Sequence, residues 1–541
     1  MTRTTPEHPR TTTRPQRARR GARAKRLLCV AALATVAALA TVAALAISGC
    51  APISALMQQA FAGDPQLPER PEGTVASFGE QQPNWTSCEN GMQCADVYAP
   101  LDWADPAGDT ITLRLIQQEA LGGDAVGTLF VNPGGPGASG VDYLAGGVDG
   151  AVQPAVQQQY DVIAWDPRGV GASSPVTCLD DAGMDKYLFG LSASDTLETG
   201  SDAWIEGSLA QESAFGKACL ERTGDLLAHV STAETVQDLD MLRAIVGDSK
   251  LNYLGYSYGT YIGARYADAY PETVGRLVLD GAMDPSATLS DVVREQTLGF
   301  EAALRAYVTD CLERNGCPLS GPADVAMAQI SDLLDQVDAE PLTGTDGRDF
   351  TSSTMLTAII TPLYSQSNWG YLDQLFSSVA QGDPEVGLTL ADFYYDRVDG
   401  TYQSNSTEAF SAINCLDYPA GDVDPKAMRA EAAELAKIAP TIGRFQGYGA
   451  LACAAWPEKP TADRGAVTGE GADPILVVGT TGDPATPYQW AESLAKQLES
   501  GVLITYKGEG HTAYGGNDCI NEVVDAYLLT GAVPSADPQC S

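Results

Sequence analysis

The sequence predicts an α/β fold, a mainly parallel sheet flanked by helices and interrupted by a helical insertion, and three observations predict it. Short apolar runs ending in turn residues recur at 128–131, 162–165, 251–254, 277–279, 475–478 and 502–506, the unalternating pattern of strands buried on both faces. Between the second and third runs, 232–246 places Val236, Leu239, Leu242 and Ile245 at helical spacing behind a Ser231-x-x-Glu234 capping box. From about Ser286 to Glu470 the rhythm changes to longer helical stretches with two cysteine pairs. Strands alternating with helices predict a sheet covered on both faces. The helical stretch, 286–470, reads as an insertion that divides the core into 76–285 and 471–541.

At 541 residues the chain exceeds one average domain, yet a single core with an insertion accounts for it. A composition of 44% hydrophobic and 19% charged residues is that of a globular protein. The first 49 residues hold nine of the 32 basic residues and one of the 70 acidic ones, which leaves 23 basic against 69 acidic in the remainder. A surface that negative repels nucleic acid and anionic headgroups, so neither is expected as a partner.

The N-terminus reads as a targeting segment. A basic stretch to Arg26 precedes an uncharged run, 27–48, in which A-A-L-A-T-V occurs twice in succession. The run ends in Ile47-Ser48-Gly49-Cys50, similar to a bacterial lipobox, which makes 1–49 a lipoprotein-type signal peptide and Cys50 the lipidated first residue. The alternative is an uncleaved span, since the run is longer than a usual signal core. Both place the body outside the cytoplasmic membrane, as a cell-envelope lipoprotein or a secreted protein that contacts the membrane only through its N-terminus. Residues 50–75, rich in Pro, Gly, Ala and Gln, suit a tether.

Ten further cysteines follow: Cys88, Cys94, Cys178, Cys219, Cys311, Cys317, Cys415, Cys453, Cys519 and Cys540. An even number in an exported chain suggests disulfides. Spacing alone does not set the connectivity, but pairing in sequence order closes short loops such as Cys88 to Cys94 and Cys311 to Cys317. Zinc is the rival reading, weakened by the absence of any C-x-x-C and by the presence of only three histidines; no metal is expected.

The chemistry starts at Gly255-Tyr256-Ser257-Tyr258-Gly259. As a bare G-x-S-x-G it carries little weight, but it follows an apolar strand and opens a helix-compatible stretch, 260–269, the strand-turn-helix that projects a nucleophilic serine. A serine hydroxyl needs an adjacent base near neutral pH. His8 lies in the leader and His229 before the helix upstream of the nucleophile, where a surface or capping role is expected. His511 follows the late strand in a Gly508-Glu509-Gly510-His511 loop and is the expected general base. The orienting acid belongs between serine and histidine, after the preceding strand. Asp483, in Gly479-Thr480-Thr481-Gly482-Asp483-Pro484, fits, whereas Asp473 precedes that strand. The loop Asn132-Pro133-Gly134-Gly135-Pro136-Gly137 exposes backbone donors for an oxyanion; Pro136 has none to give, so Gly135 and Tyr258 are the expected pair. Asp166-Pro167-Arg168-Gly169-Val170-Gly171 lacks the lysine and helix of a phosphate loop, and Arg168 is expected to brace this turn by an ion pair.

Together, N-P-G-G-P-G (132–137), D-P-R-G-V-G (166–171), L-G-Y-S-Y-G-T (254–260), V-L-D-G (278–281), T-G-D-P-A-T-P (481–487) and G-E-G-H-T (508–512) resemble the secreted tripeptidyl aminopeptidases and their lipoprotein relatives, alongside prolyl iminopeptidases. The resemblance runs from about Trp85 to Cys540 in the same motif order. It implies the α/β-hydrolase fold with an inserted helical lid and a TAP-like C-terminal segment. It also implies a serine exopeptidase acting on peptide substrates from free N-termini without a cofactor. Prolyl iminopeptidases carry histidine where Pro133 stands, which favours the tripeptidyl group. The family further implies a lid carboxylate that receives the substrate ammonium, for which Asp291, Glu295 and Glu301 stand at the start of the lid. An envelope carboxylesterase or lipase using the same triad is the alternative. A non-catalytic lipoprotein built on this scaffold is the third reading, and the complete triad speaks against it.

Overall fold

Ten strands pair into one sheet in the order β1-β2-β3-β5-β4-β6-β7-β12-β13-β14. The computed structural model that shows this describes residues 65–541 apart from 193, 195, 196, 420, 422, 461–463 and 536. The expected signal peptide, Cys50 and the first part of the expected tether lie outside the described residues. Along the chain, β1 (Thr86–Ser87), β2 (Gln93–Pro100) and β3 (Thr110–Gln118) form an antiparallel edge, and β3 pairs antiparallel with β5 (Asp161–Trp165). From β5 onward the sheet is parallel: β4 (Thr128–Asn132), β6 (Leu251–Tyr256), β7 (Val274–Asp280), β12 (Ile475–Gly482), β13 (Gly501–Glu509) and β14 (Gln539–Cys540). The six apolar runs of the sequence all lie on strands of this parallel part.

Alternate residues of the central strands face opposite layers. Phe130, Tyr253, Leu277 and Val477 pack with Leu239 and Leu242 of the helix Thr232–Ile245 and with Ile262 of the helix Tyr258–Ala269. Their neighbours Leu129, Leu254, Val278 and Leu476 pack on the other face with Val524 and Leu528 of the helix Asp518–Thr530. Each such buried aliphatic side chain contributes about 1.5–3 kcal/mol. Among the described residues no helix is long and apolar enough to cross a membrane.

Between β7 and β12 stands a mainly helical segment with an apolar core of its own, built on Phe300, Leu304, Leu334, Ile359 and Leu375. It includes the helices Leu289–Glu313, Ala323–Ala339, Ser352–Leu363 and Ser406–Asp417, with two short hairpins, β8 (Leu342–Thr343) with β9 (Asp349–Phe350) and β10 (Arg397–Val398) with β11 (Thr401–Tyr402). The ten cysteines are joined in chain order, Cys88–Cys94, Cys178–Cys219, Cys311–Cys317, Cys415–Cys453 and Cys519–Cys540.

The turn after β5 is braced twice. Asp166 accepts from Ser139 Oγ at 2.6 Å and from the N–H groups of Val141 and Ala172. Arg168 makes the expected ion pair and is fully buried. Its guanidinium binds both oxygens of Asp238 on the helix Thr232–Ile245, at 2.7 Å each, and the carbonyls of Pro100, Leu101 and His229. The pair therefore locks β2, the turn and the helix together. Removing one partner leaves a buried charge alone, so Asp238→Ala is expected to cost about 3–5 kcal/mol in denaturant unfolding, while the double replacement Arg168→Met, Asp238→Leu costs less.

Candidate active site

β6 runs straight into Ser257, whose backbone stands at φ 54°, ψ −124°, and the helix begins at the next residue. A non-glycine residue adopts this conformation only where neighbours hold it. The Ser257 N–H donates to Asp280 O at 2.9 Å, at the end of the adjacent β7. On the other side the loop after β4 closes in. A Cβ on Gly134 would lie 2.5 Å from Tyr256 O and 2.9 Å from Ser257 Cβ, so only glycine fits there.

His511 follows β13, and its Nδ1 is 2.9 Å from both carboxylate oxygens of Asp483, beyond the end of β12. Asp483 is 3% exposed. Four donors besides the imidazole satisfy its oxygens: Ala485 N, Thr486 N, Thr486 Oγ1 and Thr512 N. With a carboxylate on Nδ1, that nitrogen carries the proton and Nε2 presents its lone pair. Nε2 is buried and has no hydrogen-bond partner among the described residues. Burial pulls the imidazole pKa down, but the charge and hydrogen bond of Asp483, with the charge of Asp280, outweigh it and leave the pKa above the ordinary histidine value.

The Gly135 and Tyr258 N–H groups find no acceptor among the described residues, whereas the Gly134 N–H is taken by Asn132 Oδ1 at 3.0 Å. Tyr258 opens its helix, so no preceding turn accepts from it.

The segment between β7 and β12 reaches this site at several points that the sequence did not signal. The carbonyl of Tyr364, just past the helix Ser352–Leu363, accepts from His511 N at 2.9 Å, and its ring stands edge-on to the imidazole, centroids 5.4 Å apart. The helix Ser406–Asp417 lies on the loop after β4: a Cβ on Gly137 would meet Ser406 O at 2.6 Å and Phe410 N at 2.9 Å. Asp417, at the end of that helix, accepts from Thr232 N at 2.9 Å and from the Thr232 hydroxyl, which also meets Tyr258 OH. Burial pushes the Asp417 carboxyl up to about 6 against the Thr232 hydrogen bonds.

The other singled-out residues are committed elsewhere. Asp291 closes a capping box with Thr288, Glu295 accepts from the Trp490 indole, and Glu301 is buried against the N–H groups of Thr441 and Ile442. Asp473 pairs with Lys250 ahead of β12. His229 Nδ1 is 2.8 Å from Glu234 at the start of the helix Thr232–Ile245. Asp102 completes an approach of three potential metal ligands there, but the Arg168 guanidinium, 3.5 Å from Glu234, already supplies the positive charge.

Two family models match the chain: "TAP-like protein" over residues 439–540 and "alpha/beta hydrolase fold" over residues 127–323. Serine protease Hip1 of Mycobacterium tuberculosis is 37% identical over 484 residues, 85% of this chain and 91% of its own length. Carboxylesterase B of the same species is 34% identical over 510 residues, covering 91% of this chain and 96% of its own. Tripeptidyl aminopeptidase of Streptomyces lividans is 31% identical over 462 residues, 83% and 84% of the two chains. With a parallel sheet whose strand ends gather a serine elbow, a histidine–aspartate pair and two free amides, the chain belongs to the α/β-hydrolase family that carries a TAP-like C-terminal segment.

Proposed function

We propose that the protein is an exported serine exopeptidase that releases short peptides, tripeptides in particular, from free N-termini. The observation that carries this reading is the His511–Asp483 pair, with Nε2 unengaged, gathered to the Ser257 elbow through Asp280. Ser257 Oγ attacks the scissile carbonyl while His511 Nε2 takes its proton, and Asp483 holds the imidazole and steadies its charged form. The oxyanion is received by the Gly135 and Tyr258 amides, each worth about 3 kcal/mol in the transition state. His511 then protonates the leaving amine, and water, activated by the same histidine, releases the acyl peptide. No metal or organic cofactor enters these steps. The segment 286–470 acts as the lid, bringing Tyr364 and the Phe410 helix to the site. The leader and the five disulfides suit an oxidising compartment outside the cytoplasmic membrane, with Cys50 as the point of lipidation. Similarity to the two peptidases supports peptide cleavage, and similarity to the protein named Carboxylesterase B supports ester hydrolysis by the same triad as the second reading.

The two are separated by a chromogenic amide of a tripeptide with its N-terminus free or acetylated, beside an acyl ester at matched concentration. Cleavage of the free amide alone is expected; robust ester hydrolysis with no amide cleavage would overturn the peptidase reading. Ser257→Ala is expected to lower kcat by about a millionfold, and Asp483→Asn by about 10⁴. Because His511 acts as a base only when neutral and its pKa is raised, kcat/KM is expected to rise with a midpoint above about pH 6.5. Asp483→Asn removes the main negative neighbour and shifts that midpoint to lower pH.

A further inference from the structure

One dipeptide outside the triad touches all three of its loops. Asp280 ends β7 and is 0% exposed. Its carbonyl accepts from Ser257 N at 2.9 Å. Its carboxylate accepts from Ala513 N at 3.0 and 3.1 Å and from Tyr514 N at 2.7 Å, the second and third residues after His511. Gly281 follows at φ +68°, donating to Val478 O of β12 at 3.1 Å. A Cβ on Gly281 would lie 3.1 Å from His511 Cε1, 3.1 Å from Thr486 Oγ1 and 3.0 Å from Thr512 Cγ2. The backbone of this pair thus holds the nucleophile, its side chain holds the loop of the base, and the missing side chain of Gly281 leaves room for the imidazole.

We propose that Asp280 and Gly281 form a positioning element that sets the separation and orientation of Ser257 and His511, with the Asp280 charge acting on the imidazole as a second carboxylate. The proposal rests on the reading of Ser257 and His511 as nucleophile and base. The groups facing His511 are Asp483 from the loop after β12, Asp280 from β7 and the Tyr364 ring from the inserted segment. Asp280 is faced by His511 and Asp483, by Tyr143 and Tyr256, and by Tyr514, whose hydroxyl donates to Asp525 at 2.6 Å. Burial holds the Asp280 carboxyl up at about 6 against the two amide bonds. Above that pH it is an anion beside the histidine, and its removal lowers the imidazole pKa.

The test is the rate at which a fluorophosphonate labels the full-length protein, measured against probe concentration and pH, with circular dichroism and a thermal melt on each variant. Asp280→Asn keeps an acceptor for one amide and removes the charge. A misplacement of the base on the ångström scale is expected to lower the maximal labelling rate by about a hundredfold, with the half-saturating concentration unchanged. The acid limb of the rate is expected to move to lower pH. Gly281→Ala adds one methyl against the imidazole and leaves the charge, so the maximal rate falls and the limb stays. Wild-type rates in Gly281→Ala, or an unmoved limb in Asp280→Asn, would overturn the proposal, and if one variant loses its cooperative melt the other decides. Ser257→Ala is run beside them: labelling of that variant at the wild-type rate would sink the nucleophile assignment itself, a failure distinct from an unaffected Asp280→Asn.

Discussion

Ser257 sits in a backbone conformation that costs a residue with a Cβ about 1–3 kcal/mol, and the neighbouring elements are shaped to hold it there. Gly134 lets one strand end come within contact of the turn. The carbonyl of Asp280, on the strand at the opposite side, takes the serine amide. A parallel sheet supplies the rest, because all its strands end on one edge and their loops converge where the topology opens a crevice. The glycine loop after β4, the elbow after β6, Asp483 after β12 and His511 after β13 are four such strand ends. The sheet order determines which of them are neighbours.

Much of this was legible in the chain. The apolar runs marked the parallel strands because those strands are buried on both faces and need no alternation. The same criterion passed over β2 and β3, whose buried positions alternate, as at Ile111, Leu113 and Leu115, which is the signature of an antiparallel edge with a wet side. Chain order and the scarcity of histidine pointed to Ser257, Asp483 and His511, and the structure brings His511 and Asp483 into contact. What the sequence left open depends on partners far along the chain. Glu301 and Thr441 meet across the inserted segment, Asp417 reaches back to Thr232, and Asp280 binds amides beyond position 510. Asp280 stood in the quoted V-L-D-G motif and Thr486 in T-G-D-P-A-T-P, yet a motif does not say which amide a carboxylate will face. The Arg168 ion pair was expected but its partner was left open for the same reason, since Asp238 lies on a helix some seventy residues on.

Acidic residues outnumber basic ones so heavily that buried carboxylates have few cations to pair with. Of the seven buried acids among the described residues, only Asp238 takes a guanidinium by hydrogen bond. Asp166, Asp280, Glu301, Glu408, Asp417 and Asp483 accept from backbone N–H groups instead. An amide has a fixed position on the chain, unlike the flexible head of a lysine. These acids therefore pin specific loops, and three of them stand around the site: Asp280, Asp417 and Asp483.

β7 and β12 lie side by side in the sheet although the whole inserted segment separates them along the chain. Closing so long a loop carries an entropic penalty that grows slowly with length, but it delays the pairing until the intervening residues have been made and collapsed. Asp483 and His511 come only after β12 and β13, later in the chain than the serine elbow. A growing chain on the ribosome thus carries an elbow before Asp483 and His511 have been made. Hydrolytic power is withheld by connectivity alone until the polypeptide is finished.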